Sequence, residues 1–384
     1  MPRVSRWFLP LLLLAAVSSP LLAQGPPDEE LRKQVEALRA EVARLQAQGA
    51  AADRVAELER RIDLLAAEVE KARTGGATEA APPTGTLGLA PAASKVYGIT
   101  RGVSIGGYGE AAYENVAATR QDGEPTGEAN RLDALRSIVY VGYKFSDRIL
   151  FNSEIEIEHA TTGEGAEERG EVSLEFGYLD FRPRKALGMR AGLVLVPMGF
   201  LNELHEPPIF HGVRRPAVET RVIPSTWREA GFGAFGDAGH FAWRAYVVSG
   251  LASTGFEASG IREGRQQGSA SLANDLTLTG RVDFSGLDGL VVGGSFFTGR
   301  SGQGAVVDGK TLGGRVSLFD LHAQYERRGL QVRALLARSR VADAALVNAQ
   351  NGLAGPESVG ERQYGYYVQA AYDVMTLRPA ASGW

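Results

Sequence analysis

The sequence predicts an all-β, membrane-spanning antiparallel β-barrel preceded by an α-helical coiled coil. Three observations carry that expectation. From Tyr97 onward, short segments alternate apolar and polar residues and are separated by Gly, Asn and Asp. The connections between those segments alternate between very short and long. Between Asp28 and Arg73, by contrast, apolar residues recur every three or four positions.

Arg3 and Arg6 precede an apolar run from Trp7 to Val17, and Leu21-Leu22-Ala23 offers a small-residue cleavage site. Residues 1–23 read as a secretory signal peptide, because the run is too short to span a bilayer and ends in a processing site. Cysteine is absent from the 384 residues, so an exported chain of this size needs another source of cohesion, such as a large sheet. The formal net charge of −4 is too near balance to indicate a nucleic-acid partner. No later stretch is apolar for about 18 residues, so no membrane helix follows the signal. Barrel strands carry a much weaker signal and stay compatible with the sequence.

In the segment 28–73, Leu31, Val35, Leu38, Val42 and Leu45 are spaced 4, 3, 4, 3, and Val55, Leu58, Ile62, Leu65 and Val69 are spaced 3, 4, 3, 4. These are heptad seams. A lone solvated helix gains nothing from a seam, so the segment is expected to oligomerise. The phase slips by one residue across Gln46–Asp53, which places an interruption there. Residues 74–96 are rich in Gly, Ala, Pro and Thr, lack periodicity and read as a flexible linker.

The remaining residues, 97–384, make the expected barrel domain. Val139, Val141, Tyr143 and Phe145 share one face, and a tight turn at 145–148 leads into Ile149–Glu158. There Phe151, Ile155 and Ile157 oppose Asn152, Glu154, Glu156 and Glu158. Val172, Leu174, Phe176 and Tyr178 oppose Ser173, Glu175 and Gly177. About twelve such segments are present. In a barrel the apolar face meets lipid and the polar face lines water. Tyr364, Tyr366, Tyr367 and Tyr372 suit an interfacial aromatic girdle. Short turns fall at 146–147, 237–239, 285–288 and 326–329, and long polar connections at 116–133, 160–170, 197–228, 251–271, 299–311 and 341–361. A soluble β-sandwich accounts for the alternation but not for this sorting of connections.

The connection at 197–228 is too long for a simple link. Prolines 197, 207, 208, 216 and 224 stiffen it, and Phe200, Leu201, Leu204, Ile209 and Phe210 make it too apolar for a waving surface loop. It is expected to fold inward, pack on the barrel wall and narrow the lumen. Arg214, Arg215, Arg221 and Arg228 then become candidate anion contacts at the constriction.

The stretch VPMGFLNELHEPPIFHGVRRP (196–216), followed by VIPSTWREAGFGAFG (222–236), resembles the phosphate-selective porin O/P family of Gram-negative outer membranes. GGYGEAAYEN (106–115) and KFSDRILFNSEIEIEH (144–159) share the resemblance, which extends from about Tyr97 to the end. It implies a sixteen-stranded homotrimeric barrel in the outer membrane, with a periplasmic coiled coil and an inward third external loop. It also implies passive diffusion of small hydrophilic solutes, anions such as phosphate among them, with outer-membrane lipid and identical subunits as partners. In the family, arginines and a lysine cluster serve phosphate. By alternation Lys144, Arg190, Arg244, Arg281 and Arg333 face the lumen here, but so do Glu154, Glu156, Glu158, Glu175 and Asp283, and no lysine cluster is found. Selectivity needs a surplus of one sign at the narrow point, and the same charges also fit a solvated wall that pairs its own ions.

Ser225 and Ser249 lack the surroundings of a nucleophile, so no enzymatic activity is expected. His205-Glu206 with His211 matches no helix-borne zinc motif, and neither metal nor cofactor is expected. A second reading makes the coiled coil the working part, tethering the envelope or a partner, with the barrel as its anchor. Twelve segments fall short of sixteen, and Leu377 to Trp384 do not alternate as a strand. The chain is therefore expected to lack the last strands of a longer protein.

Overall fold

In a computed structural model of the chain, residues 91–162 and 170–377 are described. The chain divides after Ala80 into two units, and the described residues lie in the second. The signal peptide at 1–23, the coiled coil at 28–73 and the linker up to residue 90 lie outside them.

Twelve strands form one antiparallel sheet in chain order, each hydrogen-bonded to the next. They are β1 (Gly102–Glu114), β2 (Arg131–Lys144), β3 (Ile149–Glu158), β4 (Val172–Arg184), β5 (Leu187–Leu195), β6 (Arg228–Ala238), β7 (Phe241–Ser249), β8 (Leu276–Leu287), β9 (Leu290–Gly299), β12 (Val316–Arg327), β13 (Leu330–Val341) and β14 (Arg362–Tyr372). A small hairpin, β10 (Val306–Val307) and β11 (Lys310–Thr311), sits in the connection between β9 and β12. The twelve strands match the alternating segments, whereas the sixteen implied by resemblance are not reached among the described residues. There, β1 and β14 are the sheet's two edges and do not pair with each other.

Turn chemistry sorts the two ends of the sheet. Arg328 and Gly329 join β12 to β13 with φ of 52° and 81°. Two successive residues in the left-handed region make the primed turn whose twist suits a hairpin. All five short turns lie at one end of the sheet and the long connections at the other. One long connection contains the helix α2 (Ala344–Asn351).

Alternation puts Leu321, Leu336 and Val368 on an exposed outward face and Asp320, Arg333 and Tyr367 on the inward one. Two expectations are corrected. On β4 the pairing skips Glu175, so Glu154 faces Phe176 while Ile155 faces Leu174. This bulge inverts the alternation, and Phe176 and Tyr178 turn inward, buried. Tyr364, Tyr366 and Tyr372 face outward, but Tyr367 points inward and its hydroxyl meets Glu219.

The linker reading is also corrected at its end. Residues Pro91–Gly98 form a helix, α1, that lies on the inward face. Ala93, Val96 and Tyr97 are buried there, and Asn152 Nδ2 donates to Ala93 O at 2.8 Å. The Lys144 ammonium donates to the carbonyls of Tyr97 and Ile99 at 3.3 and 2.5 Å, answering acceptors that the helix end leaves open. The short apolar set of α1 was too brief to register as periodicity; packing against the wall makes it a helix.

Candidate functional site

The connection from Val196 to Trp227 folds inward. Met198, Phe200, Leu201, Leu204 and Ile223 are buried within it, and Trp227 at its end packs on Phe297 with ring centroids 4.3 Å apart. Asn202 closes its base. Its Nδ2 donates to the carbonyls of Val196 and Trp227 at 2.7 and 2.8 Å, and its Oδ1 accepts from the Trp227 amide at 2.6 Å. One side chain thus ties both ends of a long excursion. At Gly199 φ is +65°, and a Cβ would lie 2.5 Å from Glu219 Oε2, so glycine is favoured.

The loop meets the wall through charged and polar groups. Tyr140 of β2 donates to Glu206 at 2.8 Å, and His205 Nε2 lies 3.0 Å from Glu154 of β3. Glu203 is 2.9 Å from Arg244 of β7 and 3.9 Å from Arg281 of β8. The Gly199 amide donates to Asp320 of β12 at 3.0 Å, and Arg333 of β13 donates to the Ile209 carbonyl at 2.6 Å. Glu219 accepts from the Leu201 amide at 2.7 Å and from Tyr367 of β14. One loop reaches strands from β2 to β14, so the sheet must curl around it as a barrel wall does.

The five inward basic residues foreseen from alternation all lie on the inward face, and four arginines are spoken for. Arg190 forks onto Asp180 with contacts of 2.8 and 3.0 Å, with the Tyr97 hydroxyl bridging the pair and the Tyr178 ring 3.8 Å from the guanidinium carbon. Arg281 lies 2.7 Å from Asp283, which also faces Arg244 at 3.4 Å. His322 sits between carboxylates, 2.6 Å from Asp320 and 2.8 Å from Asp283. Arg333 donates to Gln324 at 2.8 Å. Apart from Arg333, whose partners are neutral, these groups form a network of ion pairs, not a free series of positive rungs.

The four loop arginines separate. Arg228 begins β6 and pairs with Glu175 at 2.8 Å. Arg214 is exposed and pairs with Glu114, and Arg221 is exposed. Arg215 alone lies in the interior without a carboxylate, donating to Thr226 Oγ1 at 2.9 Å and the His205 carbonyl at 3.0 Å. Burial and the charge of Arg136 push it down to about 10. Two arginines from the connection between β7 and β8 join it, and the sequence reading missed both. Arg262 donates to Ser225 Oγ at 2.7 Å, and Arg265 to the Ser225 carbonyl at 2.5 Å. Burial and neighbouring Arg262 push Arg265 down to about 10 as well. Nothing in the sequence seats Arg215 and Arg265 on the adjacent residues Thr226 and Ser225; the fold does. The two loop histidines go separate ways, His205 to Glu154 and His211 to Gln331 of β13.

No family model matches the chain. A protein of Aquifex aeolicus (strain VF5), itself uncharacterized, is 42% identical over 297 residues, which are 75% of this chain. The chain spans 65% of that relative's length. Among solved structures, a loop-deleted OmpT, an outer membrane protein of Vibrio cholerae, is similar with a TM-score of 0.41 and 11% identity over 71% of this chain and 78% of that one. The outer membrane channel DcaP of Acinetobacter baumannii scores 0.38 with 14% identity over 71% and 87%. Salmonella typhi OmpF, solved with daunomycin, scores 0.41 with 11% identity over 71% and 73%. Likeness this low transfers neither ligand nor function.

Proposed function

We propose that the protein is an outer-membrane porin: a water-filled passage for small hydrophilic solutes, narrowed by the loop 196–227. The observation that carries this reading is the loop's anchoring on strands from β2 to β14, which holds a constriction across the inward face. An exposed outward face of Leu, Phe, Tyr and Val supports a lipid setting, where backbone groups must be satisfied within the wall.

The passage prefers anions. Arg190, Arg244 and Arg281 on the wall are balanced by Asp180, Glu203 and Asp283, so the surplus that biases permeation lies at Arg333, held by neutral groups, and at Arg215, Arg262 and Arg265, of which only Arg262 pairs with a carboxylate, the exposed Glu263 at 3.3 Å. Inorganic phosphate fits three guanidiniums and the hydroxyls of Ser225 and Thr226. The heptad seam at 28–73 supports an oligomer, and the family resemblance supports a homotrimer with its coiled coil in the periplasm.

Reconstitution of the purified chain in a planar bilayer under a salt gradient tests this. Stepwise conductance with an anion-signed reversal potential, and block by added phosphate, is the expected result. Absence of conductance overturns the porin, and a cation-signed potential overturns the anion preference.

A further inference from the structure

Where β4, β6 and β8 meet their long connections, the outward residue is Val172, Ala230 or Leu276, apolar in each case. The same height on β9, β12, β13 and β14 is different. Arg340 of β13 lies directly opposite Arg362 of β14. Gly299 and Val316 are the last pair of the β9–β12 ladder, and Arg300 and Arg315 are the next residues on the two sides. Arg338 lies two residues below Arg340, between Phe319 and Tyr364 on the neighbouring strands. All five arginines are exposed.

Like charges facing each other across a strand pair repel. Here one such pair adjoins Arg300 and Arg315, and one carboxylate serves only the facing pair: Glu361 lies 3.0 Å from Arg340 and 3.9 Å from Arg362. Arg300, Arg315 and Arg338 have no ion pair or side-chain hydrogen bond among the described residues. Ser317 and Thr298 add hydroxyls between the pairs, 3.4 Å apart. Below the arginines the outward surface is apolar and aromatic, with Phe319 and Tyr364 exposed by 55% and 76%. A basic row directly above an apolar face has the form of a lipid headgroup site, since guanidiniums chelate phosphate and aromatic rings mark the interface.

We propose that this outward rim binds the phosphomonoester headgroup of an anionic lipid in the leaflet facing the long loops. The inference rests on the membrane reading above, and it concerns the outside of the wall, away from the passage. Bound phosphate relieves the repulsion among these arginines and fixes the β9–β14 side of the sheet to its lipid.

The test uses the full chain folded in detergent and three probes: bisphosphorylated lipid A, the same lipid dephosphorylated, and inorganic phosphate. Native mass spectrometry reads lipid retained, and the temperature at which the folded band is lost on electrophoresis reads stabilisation. Bisphosphorylated lipid is expected to bind and to raise that temperature, with roughly tenfold or greater preference over the dephosphorylated form. Replacing the pairs together (Arg300→Ser, Arg315→Ser, Arg340→Ser, Arg362→Ser) is expected to abolish the preference. Equal retention of both lipids, an unchanged preference in the variant, or displacement by equimolar inorganic phosphate overturns the proposal. Should the fourfold variant fail to fold, the two pairs are replaced separately; full preference retained in both overturns it equally. Conductance is recorded on the same preparations. Lipid preference without any conductance sinks the porin reading alone, and conductance without lipid preference sinks this inference alone.

Discussion

Two connections leave the same end of the sheet and take opposite courses. Between β1 and β2, residues 115–130 are almost all exposed and form their own small turn, with Thr119 bridged to Pro125 and Thr126 bonded to Ala118. Between β5 and β6, residues 196–227 turn inward and bury Met198, Phe200 and Leu201. The inner loop is about twice as long, but length alone does not hold a loop inside. The outer loop has few apolar side chains to bury, and its polar groups are satisfied by neighbours and water. The inner loop offers apolar residues together with carboxylates and carbonyls placed to meet Arg244, Arg281 and Arg333 on the wall. A long loop is held inside only when both needs are met, because a buried charge without a partner costs several kcal/mol.

The largest test of this contrast exchanges the two. Replacing residues 199–223 with a short Gly-Ser link is expected to raise single-channel conductance several-fold, while trimming 117–128 leaves it unchanged. Equal effects would erase the distinction. Next comes Glu203→Gln, which leaves Arg244 and Arg281 to share Asp283. It is expected to destabilise the fold by about 3–5 kcal/mol, as breaking a buried pair does, and to move the reversal potential further toward anions. Denaturant unfolding and bilayer recordings check both. Gly199→Ala forces a Cβ toward Glu219 in a left-handed conformation and is expected to cost about 1–3 kcal/mol, read as a lower unfolding temperature.

A smaller effect follows from pH. Burial raises Glu206 and Glu219 above the usual carboxylate range. Burial alone would lower His205, but the facing charge of Glu154 outweighs it and holds the imidazole above its usual range. All three groups bind protons more tightly in the folded chain than in the unfolded one. The stability they lend is full below their ordinary values and is lost as pH rises through the raised ones. Loop-dependent current noise is therefore expected to grow from mildly acidic to alkaline pH, and Glu219→Gln to reduce the growth. Noise that falls as pH rises would contradict the seating described here.

Much of the wall was legible in the residues. Period-two alternation marked the strands, because a pleated strand turns successive side chains to opposite faces whatever its neighbours are. The same alternation put Lys144, Arg190, Arg244, Arg281 and Arg333 inward. It failed on β4, where the skipped Glu175 inverts Phe176 and Tyr178, since a bulge is decided by the partner strand. The prolines and apolar residues of 197–228 announced an inward loop, but not which of its arginines would stay inside.

By itself, then, the sequence determined the repeating wall, the sorting of short and long connections and the inward turn of one loop. These follow from local periodicity and from what a segment must bury. Tertiary structure alone decided which charges cancel. Asp180 meets Arg190 under the hydroxyl of Tyr97, whereas Arg215 on Thr226 and Arg262 and Arg265 on Ser225 come from separate connections to neighbouring residues. Electrostatic pairing depends on separation in space, and residues far apart along a chain carry no record of it until the sheet curls.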